Sequence, residues 1–166
     1  GAVGSGTGMS CFDFKGGIGT ASRVTPDGHT VAVLLMTNFG VREECVIAGV
    51  PVGRLLGPAS SGPNVPAGSC IGLVVTDAPV DGAGCARLAR RVGLGLARTA
   101  SVAHHGSGGI GMACGSGMRL DRDGRPDGTA LVTGRDLDPL FAAVVEASEE
   151  AVLNSLFGAA TTVGRA

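Results

Sequence analysis

A chain of 166 residues in which 44% are hydrophobic and 16% charged can build one domain with a real core, which excludes a disordered chain. A net charge of -1 leaves no basic footprint for nucleic acid or an anionic membrane surface. With no Trp and no Tyr, stacking platforms for single-stranded nucleic acid are absent as well.

The opening stretch Gly4-Ser5-Gly6-Thr7-Gly8 superficially suggests a phosphate loop. Such a loop needs a strand before it and a helix after it. Here Phe12 to Lys15 alternates like a strand, and Gly16 to Thr20 reads as another turn. Lys15 is a candidate active-site cation, with a solvated strand-end lysine as the plainer alternative. Pro26-Asp27-Gly28 is a turn by residue chemistry. It joins a strand at 21–24 to a stronger one at 30–38. The latter ends at Asn38, whose amide can donate to a ligand or satisfy its own loop. Residues 41–48 predict a further strand, with Glu43 and Glu44 as solvated charges.

The segment 57–68 holds three of the eight prolines and reads as a linker, a natural place for a nick. An apolar strand at 69–77 follows at once. Gly68-Ser69 is then either a turn leading into an ordinary strand or something more specific. A hydroxyl at the first residue of a central strand, with mobile chain before it, suits a serine that cuts its own preceding peptide bond.

A helix is predicted over 83–98 from Leu88, Val92 and Leu96, with Arg87, Arg90 and Arg91 mostly on the other face. Gly93 and Gly95 weaken it by about 1 kcal/mol each relative to Ala, which predicts close packing on a sheet. A turn-rich loop, 101–110, carries His104 and His105. Neighbours in sequence cannot share one face, and the loop has no acidic residue, so it does not read as a metal site. Asp121, Asp123 and Asp127 around Gly124 loosely resemble a calcium loop that lacks its closing glutamate; a hairpin turn at Asp123-Gly124 accounts for them better. The last helix has Asp138 as expected N-cap and Pro139 at its first position. Its stripe is Leu140, Val144, Ala147, Ala151 and Phe157, and it ends near Gly158.

The five cysteines, at 11, 45, 70, 85 and 114, are odd in number and include no C-x-x-C pair. Buried free thiols in a reducing compartment are the expectation, hence a cytoplasmic protein, with the periplasm as the alternative. No apolar run approaches the roughly 18 residues of a membrane span. The chain opens without Met and stops soon after a helix, so both ends are expected to be cut.

Three blocks carry a resemblance that keeps its order along nearly the whole chain. They are Gly8-Met9 with Phe14 to Arg23, Ile47 to Gly53, and Gly68-Ser69 leading into Val75 to Pro79. Arg87 to Arg91, Gly95 to Thr99, and Leu140 to Asn154 extend it. The chain resembles the self-processing serine aminopeptidase family that contains L-aminopeptidase/D-Ala-esterase/amidase and the β-peptidyl aminopeptidases. The resemblance implies a four-layer αββα sandwich similar to that of N-terminal-nucleophile hydrolases, with different strand connectivity. Ornithine acetyltransferases are similar in architecture but use a threonine nucleophile, so Ser69 argues against acetyl transfer.

Family precursors cut a Gly-Ser bond matching Gly68-Ser69. Residues 1–68 then correspond to the end of an α chain and 69–166 to most of a β chain. Ser69 matches the nucleophile and Asn38 the oxyanion-hole asparagine; Ser107 matches a second serine that hydrogen-bonds the nucleophile. Gly106, Gly108 and Gly109 flank it in the substrate-binding loop. The family pattern carries an acid where this chain has Gly109, and Glu43, Glu44 and Asp77 remain open as substitutes. The oxyanion-hole tyrosine of the family lies in an earlier portion, and this chain has no Tyr. The implied substrate is a small peptide, amino-acid amide or ester with a free amino end, with no cofactor and no metal. Nucleic acid and membrane are not expected as partners; a homo-oligomer of processed αβ units is.

Overall fold

Strict alternation along the two longest strands sets the architecture. In 30–38, Val31, Val33, Leu35 and Thr37 are buried, and in 69–76 Cys70, Gly72, Val74 and Thr76 are, while the residues between them face the other way. The computed structural model describes residues 1–58, 68–125 and 127–162. Its strands are β1 (Ser10–Cys11), β2 (Phe14–Lys15), β3 (Ile18–Val24), β4 (Thr30–Asn38), β5 (Ser69–Thr76) and β6 (Ile110–Gly115). Its α-helices are α1 (Val52–Leu55), α2 (Gly82–Arg98) and α3 (Asp138–Phe157). The linker predicted over 57–68 lies, apart from its two ends, outside the described residues.

The main sheet has the order β3-β4-β5-β6. β3–β4 and β4–β5 are antiparallel, and β5–β6 is parallel, with α2 as the crossover that a parallel pair requires. Both long helices lie on one face: α3 over β3 and β4, α2 over β5 and β6. Between helices and sheet sit Val31, Val33, Leu35, Val74, Leu88, Leu140, Val144 and Val152, none more than 2% exposed. Full burial of such a side chain stabilises by about 1.5–3 kcal/mol. The opposite face displays Leu34, Ile71, Val75, Ile110 and Met112, which are 39–62% exposed. Of the αββα sandwich, the described residues build one helix layer and one sheet whose outer face is apolar, as a face packed on a second sheet is.

The helix over 83–98 forms with one residue more, because Asp81 caps it by accepting from Gly84 N–H at 2.7 Å. Gly95 does not pack on the sheet. A Cβ there would meet Ser148 Cβ at 2.4 Å and the Val145 carbonyl at 2.6 Å, so it is the point where α2 and α3 touch. Gly93 faces open space.

Several expectations are corrected. Residues 41–48 are not a strand: Arg42–Glu44 form a 3-10 turn, pinned by Asp13 Oδ2 accepting from Arg42 N–H at 2.9 Å. Ala48 and Gly49 then take positive φ in a tight turn closed by the Ile47–Val50 bridge. Phe12 and Asp13 also have positive φ, so they are the two-residue turn between β1 and β2. Asp138 is helical, with φ -60° and ψ -42°, because a 3-10 turn at Gly134–Leu137 runs straight into α3 and leaves Leu137 at the cap position. Phe157 is 74% exposed and off the buried stripe. At Asp121–Arg125 a tight turn forms as expected, with Asp121 Oδ1 accepting from the N–H groups of Asp123 and Arg125. All five cysteines are free.

Candidate active site

Three strand ends meet on the uncovered side of the sheet. In the β4–β5 ladder Asn38 is the partner of Ser69, the last residue of one strand opposite the first of the next. Directly paired residues share a face, so both side chains leave the sheet together. On the other flank a parallel bridge joins Gly68 to Ser107, extending the β5–β6 pairing past the end of both strands. The Gly108 N–H then donates to Ser69 Oγ at 3.2 Å. Asn38, Ser69 and Ser107-Gly108 therefore lie side by side across three chain segments. Gly106 is exposed within the turn just before them.

Each member is held by its own support. Asn38 Oδ1 accepts from the Ser10 N–H at 3.3 Å, so Nδ2 is the end of the amide left to donate. The β1–β2 turn backs this arrangement: Phe12 packs edge-on against Phe39 with ring centroids 5.3 Å apart, and Phe12 N–H donates to the Phe39 carbonyl. One residue earlier, fully buried Thr37 ties the strand inward. Its hydroxyl donates to the Gly17 carbonyl, accepts from Gly17 N–H and lies 3.0 Å from Ser155 Oγ on α3. On the third segment, Ser107 N–H donates to the His104 carbonyl at 2.7 Å and closes the loop into a turn.

Behind Ser69 the sheet is buried, with Cys70 4% and Cys11 0% exposed. Burial pushes the thiols of Cys70 and Cys11 up to about 12, so both stay neutral at ordinary pH. They are packing groups, so Cys70 is no reactive thiol beside Ser69.

Gly109 follows Gly108, whose N–H meets Ser69, and has no carboxylate, as the sequence showed. A Cβ built on it meets nothing within 4 Å. Of the three substitutes left open, Asp77 sits past the far end of β5, where it accepts from Thr30 N–H at 2.7 Å and lies 3.7 Å from His29. Eight residues of strand, about 26 Å, separate it from Ser69, so it is no substitute. Glu43 is exposed on the 3-10 turn. Glu44 is the acid brought toward the site: its carboxylate oxygens lie 2.9 and 3.1 Å from His104 Nε2. His104 in turn lines a small cleft with Phe39, Gly68, Ala103 and Ser107. Sequence reasoning set His104 aside as a metal ligand and gave it no other role, and it took Glu44 as a solvated charge or an open substitute for the missing acid. Sixty residues separate them, and no local pattern announces that they pair.

Lys15 is neither an active-site cation nor solvated. Its ammonium donates to the carbonyls of Gly6, Met9 and Gly16 at 3.2, 2.5 and 3.1 Å, and so clamps the glycine-rich N-terminal turn to β2. Among the described residues no group of His, Cys, Asp and Glu is arranged to hold a metal ion, and no helix is long and apolar enough to cross a membrane.

Comparison with known proteins adds an independent line. A profile of the family described as "Peptidase family S58" matches residues 1–166. The β-peptidyl aminopeptidase BapA of Sphingosinicella xenopeptidilytica is 36% identical over 182 residues, covering 99% of this chain and 45% of that protein. Among solved structures, the PH0078 protein from Pyrococcus horikoshii OT3 superposes with a TM-score of 0.87 at 44% identity, over 99% of this chain and 46% of that one. The L-aminopeptidase D-Ala-esterase/amidase from Ochrobactrum anthropi gives 0.83 at 34% identity, over 96% and 45%; its structure is described as a prototype for the serine aminopeptidases and a new variant among the Ntn hydrolase fold. The chain thus spans about half the length of the relatives it matches.

Proposed function

The chain belongs to peptidase family S58, and from that premise we propose that Ser69 is the N-terminal nucleophile of a self-processing aminopeptidase. The supporting observation is the pairing of Asn38 with Ser69 while Gly108 N–H donates to Ser69 Oγ. On this reading Ser69 Oγ, the Asn38 amide and the Gly68–Ser69 bond are side by side, as the reaction needs.

The chemistry follows from that arrangement. Ser69 Oγ attacks the Gly68 carbonyl, the C–N bond breaks, and the Gly68 acyl group moves to oxygen as an ester. Water hydrolyses the ester, leaving a carboxylate on Gly68 and a free α-amine on Ser69. With a usual pKa of about 7.7–8.0, that amine takes the hydroxyl proton near neutral pH in each later turnover. The oxygen then attacks the first carbonyl of a short peptide, amino-acid amide or ester. The Asn38 amide donates to the developing oxyanion, the amine returns its proton to the leaving group, and water releases the acyl-enzyme.

Intact-mass measurement of the full-length gene product tests this reading. The expected result is two chains, the second beginning at Ser69, with Ser69→Ala remaining as one chain. Cutting that persists in Ser69→Ala overturns it.

One observation favours a second reading, a family member that binds or assembles without turning substrate over. Gly109 leaves the nucleophile loop without a carboxylate to meet a substrate's ammonium group. Processed protein that hydrolyses no amino-acid amide or short peptide would support it.

A further inference from the structure

The first cut lacks something that every later turnover has. While Gly68–Ser69 is intact, the nitrogen of Ser69 is an amide nitrogen, with its lone pair delocalised into the carbonyl. It cannot take the hydroxyl proton. The self-cleavage in the reading above therefore needs a base from elsewhere in the chain.

The cleft beside the bond offers one. His104 is the titratable side chain that lines it together with Gly68 and Ser107. Its position is fixed at both ends. The backbone carbonyl of His104 accepts from Ser107 N–H, and Ser107 is bridged to Gly68, the residue that is attacked. Its Nε2 lies 2.9 and 3.1 Å from the two oxygens of Glu44. A carboxylate at one ring nitrogen holds the proton there and leaves the other with its lone pair. The other charged groups weighed for the site are committed or remote. Lys15 is clamped by three carbonyls, Asp77 is at the opposite end of β5, and Glu43 is exposed on its turn.

We propose that His104, oriented by Glu44, is the base of the self-cleavage step, a role separate from the amine-driven turnover that follows. This rests on the self-processing reading of Ser69. Nδ1 takes the Ser69 hydroxyl proton as Oγ bonds to the Gly68 carbonyl carbon. The tetrahedral intermediate collapses with rupture of the C–N bond, and the imidazolium delivers its proton to the departing nitrogen, which becomes the Ser69 amine. Water then completes the hydrolysis of the ester. The imidazole ends as it began.

The test follows cutting of newly synthesised full-length chain over time by intact mass. General bases contribute typically 10²–10⁴-fold, so His104→Ala and His104→Gln are expected to cut at least about 100-fold more slowly than the parent. Added imidazole should speed His104→Ala, a response that a purely structural role for the ring does not give. Glu44→Gln keeps an acceptor for Nε2–H but loses the charge, and a slowing of about tenfold or more is expected. His105→Gln, altered at an exposed neighbour, should cut like the parent. Parental rates in His104→Ala overturn the proposal. So does a slow His104→Ala that imidazole does not accelerate, which would assign the ring to holding the 104–107 turn. A parent chain that is never cut defeats instead the self-processing reading itself, and the two failures are distinct.

Discussion

A methyl group on Gly68 would come within 2.0 Å of the Asn38 carbonyl oxygen. That neighbour is backbone, part of the ladder that pairs Asn38 with Ser69, and it cannot swing aside. Only glycine lets the chain enter β5 at this spacing. Gly68→Ala is therefore expected to push β5 away from the end of β4 and to stop or severely slow cutting. Intact mass reads the cut, and a melting curve reads the accompanying loss of stability. Parental cutting and melting together would mean the close approach is dispensable.

Asn38→Ala should leave the sheet intact, since the residue ends its strand and is only half-buried. In the proposed mechanism it removes one donor to the oxyanion, an effect of about 2.7–4 kcal/mol, or roughly 10²–10³-fold in kcat. Steady-state kinetics on an amino-acid amide should show that loss mainly in kcat, with KM changed far less. A fall confined to KM would assign Asn38 to substrate binding.

Gly109 faces space that a side chain can enter without displacing anything. Gly109→Asp should therefore fold like the parent and add a carboxylate one residue past Gly108, whose N–H meets Ser69. The expected outcome is a rise of tenfold or more in kcat/KM for substrates with a free amino end, from charge-assisted hydrogen bonding worth about 1.5–3 kcal/mol. The matching N-acetylated substrates are the control and should not gain. An equal gain for both would mean that the carboxylate does not act through the ammonium.

Cys11 and Cys70 carry thiols whose folded pKa burial raises from 9.0 to about 12. A raised pKa means that the unfolded chain gives up its protons first. The contribution to stability is therefore complete below pH 9 and is lost as pH rises from there toward about 12. Denaturant titrations between pH 8 and 11 should show a falling midpoint, and Cys70→Ala should flatten that fall. Thiol reagents at pH 8 should label exposed Cys114 well before either.

Much of this was legible in the chain itself. The strands over 30–38 and 69–77 announced themselves because alternation is a property of a single segment, and the two long helices because apolar spacing is too. Asn38 and Ser69 stood out locally as strand-end residues, but their shared site, and Ser107 with them, came from resemblance, since no local pattern says that residues so far apart share a ladder. The stretch at 41–48 misled because its apolar residues pack around a 3-10 turn and a tight bend, which strand periodicity cannot distinguish over so short a span. Asp138 has the chemistry of a cap, but the preceding turn was already helical and took the cap position from it. The Glu44–His104 pair was invisible for a different reason. It depends on how two loops, each irregular, come to lie together at the ends of adjacent strands.

The parity of the β4–β5 ladder has a consequence for how such a site can change. Thr37 and Cys70 are partners that point into the core, and Asn38 and Ser69, the next pair, point out. Inserting one residue within either strand would turn every side chain beyond it to the opposite face, sending Asn38 or Ser69 inward as the core residues came out. Position and burial at these strand ends are thus inherited as one unit: mutations that displace Asn38 or Ser69 by shifting a strand are eliminated first as folding failures. Variation that spares the fold is left to the side chains on the outward pairs and to the loop carrying Gly109.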